Sequence, residues 1–220
     1  MTKRYSVLGA TIVLSAALLS SVFANTTLFN NDKVSLIGTV TLTLNTVSPG
    51  GTTQITYNTN PITTTAGVYN LTTSAPQNQA FCVDLDHVIN FSQSYTYELW
   101  LAYGRVGALL NLEDTFITGS DLNNKARAFQ IAMWEIAHDH SLGNPDNLNG
   151  NMFQYNQNAT VVSYADSLLS ATWGQADYYF FLRSIDSPSS QNLVMVTPEP
   201  ASLIALGTGF IGLLARRRRR

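Results

Sequence analysis

The first half of the chain alternates apolar and polar residues, which is typical of half-buried β-strands. The clearest alternating stretches are VSLIGTVTLTLNTV at 34–47 and TQITYNT at 53–59. The intervening SPGGTT is predicted to be a turn because of its proline and glycines. GVYNLTT at 67–73 is a further predicted strand. QAFCVDLDHVINF at 79–91 has β-branched and aromatic content and is predicted to be a central strand.

The pattern then changes to apolar residues three and four positions apart, which predicts helices. The first predicted helix is YTYELWLAYGRVGALLNL, from Tyr95 to Leu112. The second is SDLNNKARAFQIAMWEIAHD, for which Ser120 or Asp121 is the expected N-cap. ATVVSYADSLLSAT is predicted to be a third helix, and NPDNLNGN before it a loop.

Strand composition returns in ADYYFFLRSI at 176–185 and in QNLVMVT at 191–197. The order is therefore strands, helices, strands. This order predicts an α+β domain, a sandwich-like or barrel-like β-structure with a helical insertion between its two halves.

The second predicted helix carries a glutamine beside its buried face. Gln130 and Trp134 are four residues apart, so they lie one above the other on a neighbouring stripe. The buried face itself comprises Phe129, Ala132, Met133, Ile136 and Ala137. An amide beside such a face needs hydrogen-bond partners or a functional role, because burying an unpaired polar group costs free energy.

The N-terminus has the pattern of a secretory signal peptide. Lys3 and Arg4 precede a mostly apolar stretch from Val7 to Leu19, and small residues follow. We predict cleavage after Ala24, which makes residues 1–24 the signal peptide. An uncleaved anchor helix is the alternative, although the stretch is short for a membrane span.

The C-terminus combines three features in a fixed order. Pro198, Glu199 and Pro200 precede an apolar run from Ala201 to Ala215, and five arginines follow. This run is predicted to be a membrane helix, although it is marginal in length. The arginines should stay on the cytoplasmic side.

This tail resembles the PEP-CTERM sorting signal of Gram-negative bacteria, with residues 198–220 as the signal. The resemblance implies recognition near the Pro-Glu-Pro by an exosortase, a membrane protease-transpeptidase, together with the secretion machinery. It also implies an inner-membrane intermediate, held transiently by the C-terminal helix, and then export to the cell surface or extracellular matrix. An ordinary tail anchor would explain the helix and the arginines but not Pro-Glu-Pro.

Removal of both ends leaves residues 25–197 as one acidic domain with enough residues for a real core. It contains 13 acidic residues and five basic ones, a formal charge of −8. Such a surface repels phosphate, so we expect no nucleic-acid partner and no basic patch for anionic lipid.

Cys82 is the only cysteine of the chain. An unpaired cysteine in an exported protein has three interpretations: a buried small hydrophobic residue, a catalytic nucleophile, or a sulfur bonded to something other than sulfur.

The third interpretation accounts for the glutamine as well. FCVDL at 81–85 and FQIAMW at 129–134 together resemble the internal thioester domains of bacterial surface adhesins. Those domains carry an aromatic-Cys-aliphatic motif on a strand and an apolar-Gln-x-x-apolar-Trp motif on a helix. The matching positions in this chain are Phe81, Cys82 and Val83 for the strand motif and Phe129, Gln130, Met133 and Trp134 for the helix motif.

The resemblance implies that the sulfur of Cys82 attacks the side-chain amide of Gln130, releasing ammonia and leaving a thioester. An amine or hydroxyl of a target then attacks the thioester. This is single-use attachment without turnover, so no enzyme activity is expected. The adhesins of this kind lie on Gram-positive cell walls, whereas this tail resembles a Gram-negative signal, so the surface or matrix target stays unknown.

Two further residues are candidates for assisting roles. On an extended strand Asp84 and Asp86 would share the face of Cys82, and His87 would point to the other face. Asp84 either assists the reaction, or lies at an exposed strand edge, or forms hydrogen bonds to loops. His138 follows Gln130 by two turns and is either a base for the nucleophile or a surface histidine near a helix end.

Metal and cofactor chemistry lacks support in the sequence. His138, Asp139 and His140 have poor spacing for a metal site, and NPDNLNGN lacks the closing glutamate of a calcium loop. We expect no metal, no cofactor and no conventional catalytic site. The alternatives to a thioester adhesion protein are a passive matrix or biofilm component with a buried free Cys82, and, more remotely, a cysteine hydrolase that uses His87 or His138.

Overall fold

The computed structural model describes residues 32–139, 146–186 and 190–197. Several predictions lie outside these residues: the signal peptide, the role of His140, the Pro198-Glu199-Pro200 segment and the predicted helix from Ala201 to Ala215. No helix within the described residues has the length and apolar character needed to cross a membrane.

The fold is β-rich α+β, with seven strands and four helices in the described ranges. The strands are β1 (Lys33–Tyr57), β2 (Asn60–Thr73), β3 (Gln79–Cys82), β4 (Ser94–Gly104), β5 (Phe153–Gln154), β6 (Asp177–Ser184) and β7 (Leu193–Val196). The helices are α1 (Arg105–Leu110), α2 (Glu113–Phe116), α3 (Leu122–His138) and α4 (Ala159–Thr172).

The strands form one sheet in the order β2-β3-β7-β6-β4-β1-β5, and the pairings between named strands are all antiparallel. The long strand β1 pairs with β4 along its first half and with β2 along its second. Its second pairing connects β2 back to the sheet, so six strands form a closed circuit. The sequence predicted an α+β domain with a sandwich-like or barrel-like β-structure, and the structure confirms the coarser prediction of a β-rich α+β fold.

The predicted turn at SPGGTT is wrong, since β1 runs through this segment to Tyr57. Gly50 lies opposite Gly67 of β2, with φ angles of 149° and 150°. A Cβ on either glycine would collide with backbone atoms of the partner strand. The two glycines therefore let the strands remain paired across an irregular register, and the chain reverses only at Asn58 and Thr59.

The predicted helix from Tyr95 to Leu112 is also wrong over most of its length. Residues 94–104 form β4, and only Arg105–Leu110 is helical. Tyr95, Tyr97 and Leu99 are buried, alternating with partly exposed residues. The segment therefore follows the two-residue period of a strand, although its apolar residues also fit helical spacing.

The two helices and two strands predicted between residues 120 and 197 are confirmed. Helix α3 begins after Asp121, but that side chain makes no capping hydrogen bond to the helix backbone. Helix α4 covers Ala159–Thr172, and Asn158 caps it by accepting hydrogen bonds from Thr160 N–H and Val161 N–H. Strands β6 and β7 lie within the two predicted final strands.

Helix α3 lies at the centre of the domain. It packs against β1, β2, β3 and β5, and against α1 and α4. Every residue from Ala128 to Asp139 is buried as a result. The polar residues of this segment, including Gln130, must therefore find their partners inside the protein.

Candidate functional site

Cys82 lies at the end of strand β3, in the buried centre of the domain. The strand ends at Cys82, which pairs with Leu193 of β7. Cys82 and Gln130 of α3 are both 0% exposed. The structure therefore brings together the cysteine and the glutamine that lie 48 residues apart in the sequence.

The side-chain amide of Gln130 forms two hydrogen bonds with the backbone of Cys82. The Cys82 N–H donates to Oε1 of Gln130 at 3.1 Å, and Nε2 of Gln130 donates to the Cys82 carbonyl at 2.6 Å. Strand β2 pairs with β3 only at Gln79 and Ala80. The amide thus provides Cys82 with the donor and acceptor that a neighbouring strand would otherwise supply.

These bonds also hold the carbonyl carbon of the amide next to the cysteine. Adding a C=O bond of ~1.2 Å to the 3.1 Å hydrogen bond places Cδ of Gln130 within about 4.3 Å of the Cys82 nitrogen. The amide is therefore confined to the immediate surroundings of the residue whose sulfur would attack it.

The sulfur lies in a closed polar and aromatic environment. It donates to the Asp84 carbonyl at 3.0 Å and accepts from the Asp84 N–H at 3.4 Å. Burial and the nearby Asp84 carboxylate raise the pKa of the Cys82 thiol to about 12, although contacts with the Asp84 backbone, Trp134 and Tyr69 offset part of this rise. The group is accordingly a neutral thiol at physiological pH.

Trp134 lies beside the sulfur on the same helix as Gln130. Its Nε1–H makes no hydrogen bond of ordinary geometry within the described part of the chain, yet it interacts closely enough with the sulfur to lower the thiol pKa. The tryptophan is 0% exposed and also packs against Phe153. Its ring helps to exclude water from the sulfur.

The other residues of the two motifs pack around the pair. The rings of Phe81 and Phe129 lie with their centroids 4.7 Å apart. Val83 and Met133 are both fully buried. Together these side chains join β3 to α3, so the cysteine and the glutamine lie in a rigid apolar core.

Asp84 and Asp86 were predicted to share the face of Cys82 on a continuous strand. This prediction is wrong, because β3 ends at Cys82. The chain turns, Asp84 reaches back to the sulfur through its backbone, and Nδ1 of His87 lies 2.8 Å from Oδ2 of Asp84. Asp86 is exposed and does not share the buried position of Asp84.

The Asp84 carboxylate is buried and bonded to loops, rather than at an exposed edge. Its Oδ1 accepts from the N–H groups of Asp86 and His87, and its Oδ2 accepts from the backbone N–H and the side chain of Asn192. These bonds attach the loop after β3 to the start of β7. Asp84 therefore fixes the backbone that contacts the sulfur.

His138 is not the surface histidine that its place near the helix end suggested. It is 4% exposed, its ring lies edge-on to Tyr57, and it is hydrogen-bonded to the Val83 backbone. Burial lowers the pKa of His138 to about 4. A neutral imidazole with so low a pKa is a weak base, so His138 fits a structural role beside β3 better than proton transfer.

Two residues near the sulfur were missed by the sequence interpretation. Tyr69 of β2 contacts the Cys82 sulfur, and its hydroxyl donates to Oε1 of Gln191 at 3.3 Å. Nε2 of Gln191 donates in turn to the Asp84 carbonyl. The Gln191-Asn192 amide pair directly before an apolar strand is the only sequence signal for these positions.

Within residues 32–139, 146–186 and 190–197, no group of three or more His, Cys, Asp or Glu side chains has an arrangement that could hold a metal ion.

Comparison with known proteins informs the C-terminus alone. No curated protein and no solved structure matches the chain. The resemblance of the central domain to thioester adhesins therefore stays a prediction. The model of the PEP-CTERM protein-sorting motif matches residues 196–220, which begin at the last residue of β7. The chain thus carries the signal of an exported protein that exosortase processes and that is sorted through the membrane to the cell surface.

Proposed function

We propose that this exported, exosortase-sorted protein forms an internal thioester between Cys82 and Gln130 and uses it for covalent attachment at the cell surface or in the extracellular matrix. The observation that carries the proposal is the pair of hydrogen bonds between the Gln130 amide and the Cys82 backbone. They hold the two reactants together in a buried core, where an otherwise slow reaction becomes effectively intramolecular.

The same hydrogen bonds supply the electrostatics that the reaction needs. The Cys82 N–H points at Oε1 of Gln130, the oxygen on which negative charge develops when sulfur attacks the amide carbon. The C–S bond forms and the C–N bond breaks. The thiol proton moves to the departing nitrogen, so ammonia leaves and no other reactant is required.

The finished thioester is a protected electrophile. Trp134, Phe81 and Phe129 cover it with apolar surface, which slows hydrolysis. An amine or a hydroxyl group of the target attacks the carbonyl carbon, forming an amide or an ester and releasing the Cys82 thiol. Each molecule reacts once.

Internal amines offer little competition. The exported domain contains only Lys33 and Lys125. The Lys33 ammonium lies over the ring of Trp100, and Nζ of Lys125 donates to the Thr118 carbonyl at 2.6 Å. Both lysines are therefore engaged by groups other than the Cys82–Gln130 pair.

A second candidate function, a passive matrix component, is favoured by one specific observation. The Gln130 amide already satisfies the backbone of Cys82, and the Cys82 thiol already bonds to Asp84. These bonds explain both residues as parts of a stable core without any chemistry.

Intact-mass measurement distinguishes the two functions. The freshly purified chain and its Cys82→Ala variant are each compared with their own sequence mass, and then treated with methylamine. A thioester makes the wild type lighter by one ammonia, and methylamine adds to it and exposes a thiol. The variant shows neither change.

Peptide mapping records the reaction even after the bond is lost. Hydrolysis of the thioester leaves glutamate at position 130, whereas an unreacted Gln130 stays an amide. A full sequence mass, a titratable thiol and an intact Gln130 amide in fresh protein would contradict the thioester and leave the passive matrix role.

A further inference from the structure

A pocket lies on the surface next to the buried sulfur. Its volume is about 260 Å³, and it lies between β1, β2 and the loop that follows β3. The lining includes Tyr69, Leu85, His87, Phe91 and Gln191. This volume suits one small group, such as a single sugar unit, better than an extended ligand.

Only one layer of side chains separates this pocket from Cys82. Tyr69 lines the pocket on one side and contacts the sulfur on the other. Its hydroxyl bond to Gln191 is 3.3 Å long, which is weak for a hydroxyl donor. Displacement of Tyr69 and Gln191 would connect the pocket with the Cys82–Gln130 pair.

A histidine with a fixed orientation lies at the same pocket. His87 lines it, and Nδ1 of His87 is held 2.8 Å from the buried Asp84 carboxylate. This hydrogen bond raises the pKa of His87 above its ordinary value. Because the Asp84 carboxylate is hydrogen-bonded to Nδ1 of His87, the other ring nitrogen, Nε2, is the one that can accept a proton. This arrangement is suited to activating a hydroxyl group.

We propose that this pocket is the acceptor site of the thioester and that His87, oriented by Asp84, takes the proton from a hydroxyl of a neutral saccharide. The proposal rests on the proposed function. The saccharide oxygen attacks the Gln130 carbonyl carbon, an ester forms, and the C–S bond breaks. The proton passes through His87 to the sulfur, which restores the Cys82 thiol.

The lining favours a neutral saccharide over a charged or protein acceptor. Phe91 is 55% exposed and Val88 71% exposed, so they offer apolar surface for the face of a sugar ring. Thr63, Thr64 and Thr65 of β2 also line the pocket, so its lining includes polar residues that carry no charge. Among the residues that the structure describes, no lysine or arginine lines the pocket, and the exported domain is acidic overall, so an anionic acceptor is disfavoured.

The test uses the full chain in detergent and begins with the mass deficit of the wild type. An absent deficit would overturn the proposed function, and this acceptor site with it. Where the deficit is present, the protein is incubated with methylamine or with methyl β-glucoside, and the adducts are followed by mass. Methylamine attacks as a free amine without a base, whereas the glucoside needs one.

The His87→Gln variant is expected to form the thioester and to react with methylamine like the wild type. Its ester formation with the glucoside should fall on the order of 100-fold, the usual scale for loss of a general base. Asp166→Asn, an exposed change on α4, is the control and should leave both reactions unchanged. Equal glucoside reactivity in His87→Gln and wild type would overturn the role of His87.

A second variant keeps the proposal testable if His87→Gln fails to fold. Phe91→Ala leaves His87 and Asp84 in place and should slow the glucoside reaction but not the methylamine reaction. If Phe91→Ala slows neither reaction, the assignment of this pocket as the acceptor site is overturned. N-acetylserinamide serves as a protein-like hydroxyl, and a faster reaction with it than with the glucoside would overturn the saccharide preference.

Discussion

Two fully buried polar side chains lie five residues apart on α3, and they differ in what they bind. The amide oxygen and the amide nitrogen of Gln130 are both hydrogen-bonded to the backbone of one residue, Cys82. Glu135 accepts one hydrogen bond from the Asn147 N–H at 2.7 Å, and its Oε2 has no hydrogen-bond partner within the described residues. The first side chain contacts a potential nucleophile, whereas the second contacts a loop.

The surroundings of Glu135 explain its role. One turn later, Asp139 accepts from the N–H groups of Met152 and Phe153, so the two carboxyl groups attach the segment from Asn147 to Phe153 to the C-terminal part of α3. Nearby, Arg105 forms a bidentate ion pair with Asp146. Burial alone therefore does not distinguish Gln130 from Glu135 on this helix, whereas the partner to which each side chain is bonded does.

The largest effect is expected for Gln130→Leu. This change leaves the N–H and C=O of Cys82 buried without partners, which costs about 1–3 kcal/mol for each group. It also removes any cross-link between β3 and α3. By analogy with a disulfide closing a loop of this length, the cross-link is worth about 4 kcal/mol. Urea unfolding at neutral pH measures the sum.

Cys82→Ala is the matched control, because it prevents the thioester but keeps the hydrogen bonds to the backbone of residue 82. Gln130→Leu should be less stable than Cys82→Ala by roughly 2–6 kcal/mol, the summed cost of the two unpaired backbone groups. Equal stability of the two variants would show that the amide hydrogen bonds contribute nothing. A Cys82→Ala variant as stable as the wild type would argue against a cross-link.

Asp139→Ala should give a smaller loss of stability and no loss of chemistry. It leaves the buried Phe153 N–H without this acceptor, at a cost of about 1–3 kcal/mol, and the part-buried Met152 N–H at a smaller cost. Because the loop lies at the other end of the buried segment from Gln130, the ammonia deficit should persist. Loss of the deficit in a folded Asp139→Ala variant would show that the two regions are coupled.

Sequence periodicity predicted α3, α4 and the last two strands because each has one dominant pattern. It did not predict β4, since the spacing of apolar residues from Tyr95 onward fits a helix as well as a strand. It also failed at Pro49 and Gly50. There the usual turn residues instead accommodate an irregularity within β1, which only the pairing with Gly67 reveals.

The candidate site was predictable where two short motifs carried it, at Cys82 and Gln130. Their hydrogen bonds required the three-dimensional arrangement, as did the buried state of His138. Tyr69 belongs to β2 and Gln191 to the segment before β7, and the pairing of β3 with both of these strands brings the two residues close to Cys82. Such long-range contacts have no local pattern.

The smallest effect concerns the charge of Glu135 and appears as a dependence of stability on pH. Burial raises the pKa of Glu135 from 4.5 to about 8, although the hydrogen bond from Asn147 N–H opposes the rise. Between these values the folded protein retains a proton that the unfolded chain has released. Stability from this group is therefore complete below pH 4.5 and is lost as the pH rises through about 8.

Glu135→Gln removes this titration while it keeps an oxygen for the Asn147 N–H. The variant and the wild type should have similar melting temperatures near pH 5, and the variant should melt at the higher temperature at pH 9 because it has no proton to lose. Thermal unfolding across this pH range measures the difference. Parallel curves for the two proteins would show that Glu135 is ionised in the fold. The pKa of Glu135 would then be close to that of an exposed carboxylate, although the side chain is buried. Glu135 and Gln130 would then differ in charge as well as in the partners that they bind.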